Sequence, residues 1–305
     1  LKIVSFYRDY MGYTGGHQKV FDYLQHCSAH PHFDSELYIQ SRDELQSPFD
    51  VIKQRWQQQY QPDKADVIFL AGLDWRAYQP FFNEHQPKIN LIQHLRHADP
   101  SQAHFAFLKH KAIRICVSKA VEEAIKPFAN GPVITIKMGH EIPELLVSDK
   151  DIDLYILANK KPGWGEHLAK YANSLGFRVK LTKQTVPKEN VFADMARANI
   201  SLVLPNKTEG FYLPGIEAMS LSNVAIVPNC VANLEYMKKG SNAILCANTL
   251  DGCKKAIHLG WNMSKSEDIK IRAEKGKRIS CSYNLNNEAL RFHNVLNELD
   301  NLWRS

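Results

Sequence analysis

The chain has 305 residues, 44% of them hydrophobic and 23% charged, with 38 Lys and Arg against 32 Asp and Glu and a formal charge of +6. That length is enough for two domains that each bury a core, and the composition excludes disordered, collagen-like and fibrous chains. No apolar run approaches the ~20 residues of a membrane-spanning helix, and Leu1–Phe6 is too short and too soon polar to read as a signal peptide. Six cysteines without a Cys-x-x-Cys pair point to a reducing compartment, so a cytoplasmic location is expected, and against a zinc or disulfide framework.

Apolar runs alternate with helix-like segments, the pattern of strand-helix-strand units and parallel sheets. Leu1–Phe6 predicts a first strand, Arg8–Gly16 a loop and His17–Cys27 a helix. Within that loop the pair Gly15-Gly16 lets the backbone turn sharply and present N–H groups to an anion. The loop is neither a Gly-x-Gly-x-x-Gly fingerprint nor a Walker motif, which sets aside dehydrogenase and P-loop readings. Further strands are expected at Leu37–Ile39, Val67–Ala71, Ile89–Gln93, Ile113–Val117 and Val133–Ile136. His94 directly follows one of them, at the edge where open parallel sheets bind ligands, with His97 as the alternative if the register slips.

From Lys88 to Lys126, basic residues outnumber acids and interleave with Phe105, Phe107 and Leu108. A solvated helix face over a packed Phe stripe is the preferred reading, and peripheral contact with the inner face of an anionic membrane is the second. There is no glycine-aromatic repeat or helix-turn-helix signal, so nucleic acid is not an expected partner. Pro143 and the charged stretch Ser148–Asp153 interrupt the pattern, and we place there the boundary between domains at residues 1–147 and 148–284. Asp151-Ile152-Asp153 has metal-holding spacing, but it precedes its strand, Leu154–Ala158, and reads as polar linker, so no metal site is expected. Strands follow near Arg178–Leu181, Ile200–Leu204, Ala225–Pro228 and Ala243–Leu245. In residues 285–305, Leu290, Val295, Leu299 and Trp303 have roughly helical spacing, which predicts a last helix packing back on the first domain.

The richest segment is Glu209-Gly210-Phe211-Tyr212-Leu213-Pro214-Gly215-Ile216-Glu217, between the strand Ile200–Leu204 and a helix through Glu217–Leu221 with Pro214 near its first turn. A helix start gathers free N–H groups and about half a positive charge, which suits a phosphate. Gly210 and Gly215 would let a ligand approach the backbone, and Glu209 and Glu217 could accept from sugar hydroxyls on either side of that phosphate. The ligand that fits is a nucleotide sugar.

Written as Glu-Gly-Phe-x-Leu-Pro-x-x-Glu-Ala-Met, the segment resembles the Glu-x7-Glu donor-binding signature of the retaining glycosyltransferases of family GT4, with seven residue types in register. The resemblance implies a GT-B fold, two Rossmann-like parallel-sheet domains facing a central cleft. It implies transfer from a nucleotide-diphosphate sugar, as donor substrate and without further cofactor, to a hydroxyl of a glycan, lipid-linked saccharide or small molecule. It puts Glu217 on the ribose, Glu209 and His94 by the reacting sugar, and Gly15, Gly16, Gly210, Phe211, Tyr212 and Leu213 along the donor. Ser118 matches the family's strand-end cap, and Ile136-Lys137-Met138-Gly139-His140-Glu141 its strand-to-linker turn, usually Pro-Asn-Gly-Val-Asp.

The main departure is Ala158-Asn159-Lys160-Lys161-Pro162-Gly163, where the family commonly has Gly-Arg and then Lys-Gly gripping the diphosphate. Asn159 stands at the Arg, so Lys160 or Lys161 must supply the charge, as a point charge without the guanidinium fork. Retention is implied by the resemblance alone, since no residue is an obvious covalent nucleophile. A GT-B sugar-nucleotide epimerase or hydrolase, and a non-catalytic sugar or nucleotide binder, are the alternative readings. Base, sugar and acceptor have no code in the sequence.

Overall fold

The computed structural model describes residues 1–12, 14–42, 47–145 and 150–305, and within it every strand pairing of the two sheets is parallel. The chain forms two compact units, Leu1–Met138 with Leu285–Ser305, and Gly139–Asn284. These are the two parallel-sheet α/β units of a GT-B fold. The boundary expected at 147/148 falls outside the described residues, as do Ser148 and Asp149 of the charged stretch and Tyr13 of the amino-terminal motif.

The first unit comprises β1 (Lys2–Tyr10), α1 (Gly15–Ser28), β2 (Phe33–Arg42), β3 (Val67–Ala71), α2 (Asp74–Tyr78), β4 (Lys88–Ile92), β5 (Ile113–Cys116), α3 (Lys119–Ile125) and β6 (Val133–Thr135). Its strand order is β2-β1-β3-β4-β5-β6. Strands β3, β4 and β5 are buried along their whole length; β3 reads accordingly as one apolar run, whereas β4 and β5 carry buried Lys88, Asn90 and Arg114 among their apolar residues. The first strand runs four residues past its expected end. Arg8, which looks like a loop residue in sequence, is buried there against Asp74, so its charge is neutralised within the sheet edge.

The second unit comprises β7 (Ile152–Leu157), α4 (Pro162–Ser174), β8 (Val179–Thr182), α5 (Lys188–Arg197), β9 (Ala198–Val203), α6 (Leu213–Leu221), β10 (Val224–Pro228), β11 (Ala243–Cys246), α7 (Leu250–Ser264) and α8 (Ile269–Cys281). Its order is β11-β10-β9-β7-β8. Leu154, Ile156, Ile200, Leu202, Val224 and Ile226 pack with Leu168, Ala172 and Ile257 into one core. Asp151-Ile152-Asp153 is not linker. Ile152 opens β7, Asp153 accepts from Arg178 Nε at 3.0 Å and Nη2 at 2.8 Å, and Asp151 pairs with Arg197.

The basic segment is likewise not a solvated helix face. It is made of β4, β5, α3 and single turns, and two of its cations are structural. Lys88 is buried and donates to the carbonyls of Asn83 and Gln86. Arg114 is buried and donates to five carbonyls, those of Phe107, Leu108, His110, Ala112 and Asn130. Phe107 stacks on Trp75 and Phe105 packs on Phe128. No helix among the described residues is long and apolar enough to cross a membrane.

The chain returns to the first unit as α9 (Leu285–Asn297) and α10 (Leu299–Arg304). Leu290, expected on the packing face, points to solvent, and the buried stripe is Glu288, Phe292, Val295, Leu296 and Leu299. Glu288 is the polar centre of that stripe. Its Oε2 accepts from Lys19 Nζ at 2.7 Å and lies 2.9 Å from His26 Nε2, while Lys19 also pairs with Asp22 at 2.8 Å. Burial pushes the Glu288 carboxyl up, but Lys19 and His26 outweigh it and hold it below the ordinary carboxylate value.

Removing Lys19 takes its charge away from two buried carboxylates, Glu288 and Asp22. Lys19→Met is expected to cost about 3–5 kcal/mol in urea unfolding, with the double change Lys19→Met, Glu288→Leu recovering much of it. Because the folded carboxyl titrates below the unfolded one, its contribution is present above the ordinary carboxylate range and is lost as pH falls through the folded value. Glu288→Gln should therefore flatten the acid limb of the stability profile.

Candidate functional site

In the second unit β7 has β8 on one side and β9 on the other, so the chain leaves β7 in both directions. A crevice opens outside the carboxyl ends of strands at such a reversal. The segments that follow β7 and β9 are Ala158–Lys161 and Leu204–Tyr212, and they carry the two halves of the expected donor grip. Lys160 Nζ donates to Glu209 Oε1 and lies 5.2 Å above the Tyr212 ring. Lys161 turns elsewhere. It donates to Asn248 Oδ1 at 2.5 Å over the Trp164 ring at 4.3 Å, and burial lowers its pKa.

Helix α6 begins at Leu213, four residues before Glu217, so the second acid sits in the second turn and not at the helix start. Both acids are buried, at 7% and 6% exposure. The helix is apolar nearly all round and is clamped at both ends. Asn242 donates to the Met219 and Ser222 carbonyls and Lys150 to Leu221, satisfying the carboxyl-terminal acceptors. At the amino end the Tyr236 hydroxyl donates to the Tyr212 carbonyl at 2.9 Å. Tyr236 also explains Gly215, because a Cβ there would run into its hydroxyl and ring. That glycine makes room for a tyrosine, not for a ligand as expected from the sequence.

Gly210, Phe211 and Tyr212 are buried and Leu213 is half-buried. The Tyr212 hydroxyl has no hydrogen-bond partner among the described residues. Burial, with Glu209 and Glu217 close by, raises its pKa well above the ordinary value and keeps the proton on it. Glu217 has a partner the sequence does not announce. Its Oε1 lies 2.6 Å from His140 Nε2, a residue 77 positions earlier. Beyond β10, Val231 holds φ +68, a conformation rare for a β-branched residue, on the same edge of the sheet.

In the first unit the corresponding reversal lies between β1 and β3. Gly12, with φ +123, makes the turn after β1. Gly15 and Gly16 do not; they are the first two residues of α1, capped by Thr14, whose Oγ1 accepts from His17 N at 3.2 Å. A Cβ on Gly15 would meet no atom of the described residues within 4 Å, whereas Gly16 lies against Gln93, whose Nε2 donates to the Gly16 carbonyl at 3.3 Å. His94 Nδ1 accepts from Arg96 N at 3.1 Å and caps a single turn, which puts the proton of a neutral ring on Nε2. His97 is buried against His104, and burial depresses it to about 3, the behaviour of a core histidine. Ser118 caps α3 through Val121 N. Lys19, next to the glycine pair in sequence, is committed to Glu288.

No family model and no curated protein matches the chain. Solved structures do, over nearly their full length. Sucrose-phosphate synthase from Thermosynechococcus elongatus superposes with a TM-score of 0.70 at 14% identity, covering 98% of this chain and 99% of that one. Anabaena HepE in complex with UDP gives 0.72 at 12% identity, covering 98% and 100%. The S. aureus MnaA–UDP structure gives 0.62 at 10% identity, covering 99% and 98%. At these identities the likeness establishes the GT-B fold.

The contact under α6 is testable on its own. Gly215→Ala should destabilise the protein by about 1–3 kcal/mol through overpacking. In a Tyr236→Phe background the same change should cost less, which paired thermal melts would read directly.

Proposed function

We propose that the chain is a glycosyltransferase that moves a sugar from a nucleotide-diphosphate sugar to a hydroxyl acceptor, with retention of anomeric configuration and without a metal. The observation that carries the reading is the meeting of Lys160, Glu209 and Tyr212 at the strand reversal of the second unit, with buried Glu217 in the helix that follows. One cation and two carboxylates at a parallel-sheet carboxyl edge match a ligand with phosphates flanked by two sets of hydroxyls. Structures of the same fold described as glycosyltransferase or sucrose-phosphate synthase, and Anabaena HepE solved with UDP-glucose, support the same ligand class and make UDP the first nucleotide to try.

In this mechanism Lys160 and the amino ends of α4 and α6 stabilise charge on the departing diphosphate, leaving an oxocarbenium-like sugar. Glu209 accepts from hydroxyls of the transferred sugar and Glu217 from the ribose. Lys161 contributes at longer range, from its place beside Asn248. From the first unit the proposal retains Gly15 and Gly16 as phosphate-facing N–H groups and His94 as a sugar partner, on the family resemblance alone. Asp151 and Asp153 take no part, because each is committed to an arginine.

Thermal shift against a panel of nucleotide sugars should pick out the donor, since a bound ligand stabilises the fold by mass action. With that donor, release of nucleoside diphosphate should require a hydroxyl acceptor. Release into water alone would point to a hydrolase. The double change Lys160→Ala, Lys161→Ala should weaken nucleoside diphosphate binding about tenfold or more. Glu209→Gln should lower kcat more than it lowers nucleoside diphosphate affinity, and equal losses in both would remove Glu209 from the sugar.

Metal independence has its own measurement. Transfer should persist in excess EDTA at an undiminished rate. A loss restored by Mn²⁺ or Mg²⁺ would assign the diphosphate charge to a cation.

A further inference from the structure

We infer that His140 is a positioning residue that orients Glu217 and thereby sets the preference of the site for ribonucleotides. The inference rests on the donor reading above, in which Glu217 meets the ribose. His140 Nε2 lies 2.6 Å from Glu217 Oε1, and both side chains are more than nine-tenths buried. An ionised carboxylate only accepts, so Nε2 carries the proton and donates. The ring is itself well placed to hold a direction. The His140 backbone N–H donates to the Tyr283 carbonyl at 2.9 Å, and its ring lies edge-on to Phe192.

The backbone of Glu217 is fixed by the clamps at both ends of α6, from Tyr236 at one end and Asn242 and Lys150 at the other. What those clamps leave open is the rotation of its side chain, a freedom that would be lost on binding at a cost in affinity. The bond to His140 removes that freedom in advance. It occupies one of the roughly four lone-pair sites of the carboxylate and leaves Oε2 to accept from a vicinal diol. A ligand lacking those hydroxyls would bring nothing to Oε2 and gain nothing from the alignment. His140 therefore acts on the ribose through Glu217 and touches neither the base nor the phosphates.

The test is calorimetry on the full chain with UDP, GDP, ADP and CDP to find the base, then with the best of these against its 2′,3′-dideoxy counterpart. The unaltered protein should prefer the ribonucleotide about tenfold or more, the effect of hydrogen bonds to a charged acceptor. His140→Ala and His140→Leu should bring that ratio close to one, mainly by weakening the ribonucleotide. His140→Gln, whose amide can donate from near the Nε2 position, should keep most of the preference. If Ala and Leu leave the ratio intact, or weaken both nucleotides alike, His140 is a packing residue and the inference fails. Should neither fold, His140→Asn, too short to reach Oε1, makes the same comparison against Gln. An unaltered protein that binds diphosphates without preferring ribose overturns the placement of Glu217. One that binds none of the four overturns the donor reading itself.

Discussion

The parallel pairing of every strand in the two sheets is the constraint from which the site follows. A parallel neighbour cannot be reached by a tight turn, so each strand is followed by a crossover, and the crossover helices cover both faces of the sheet. The loops leaving the carboxyl ends are then gathered along one edge. In the second unit this brings Lys160 to Glu209 and Lys161 to Asn248, from loops that follow three different strands. Their separation in sequence is irrelevant to their meeting. The position of β7 between β8 and β9 decides it.

Charge burial shapes what that edge can do. Two carboxylates below a tenth exposed would be costly to keep ionised without partners. Each has one, a lysine for Glu209 and a histidine for Glu217. The two differ in kind. Lys160 is about a third exposed and sits on a flexible stem that can be shared with an arriving phosphate, whereas His140 is buried and directional. The lysine offers charge and the histidine offers geometry, as the proposed division between diphosphate and ribose requires.

The same accounting changes the meaning of the basic composition. Several cations that look like surface charge in the sequence are internal. Arg8 neutralises Asp74, Lys19 holds the returning helix α9 through Glu288, and Lys88 and Arg114 tie loops together through backbone carbonyls. A formal excess of six positive charges is thus not a description of any one face of the protein.

The sequence by itself determined the class of fold and the location of its punctuation. The runs Val67–Ala71 and Ala225–Pro228 are apolar throughout, Ile113–Val117 is apolar but for Arg114, and all three are buried, so their pattern survives without knowledge of neighbours. The Glu209–Glu217 segment was legible for the same reason, as a local strand-loop-helix corner with a proline and glycines at fixed offsets. Element ends were less so, because β1 continues through Arg8 only with Asp74 beside it, and Ile152 belongs to a strand only with Arg178 and Arg197 answering its flanking acids. The roles of single residues were decided by tertiary structure alone. Gly215 is small because Tyr236 lies against it, Gly12 and not Gly15-Gly16 makes the turn, and His140 reaches Glu217 across 77 residues. Such contacts have no signature in spacing, since they depend on which strand ends share an edge, and that is fixed only when the sheet is assembled.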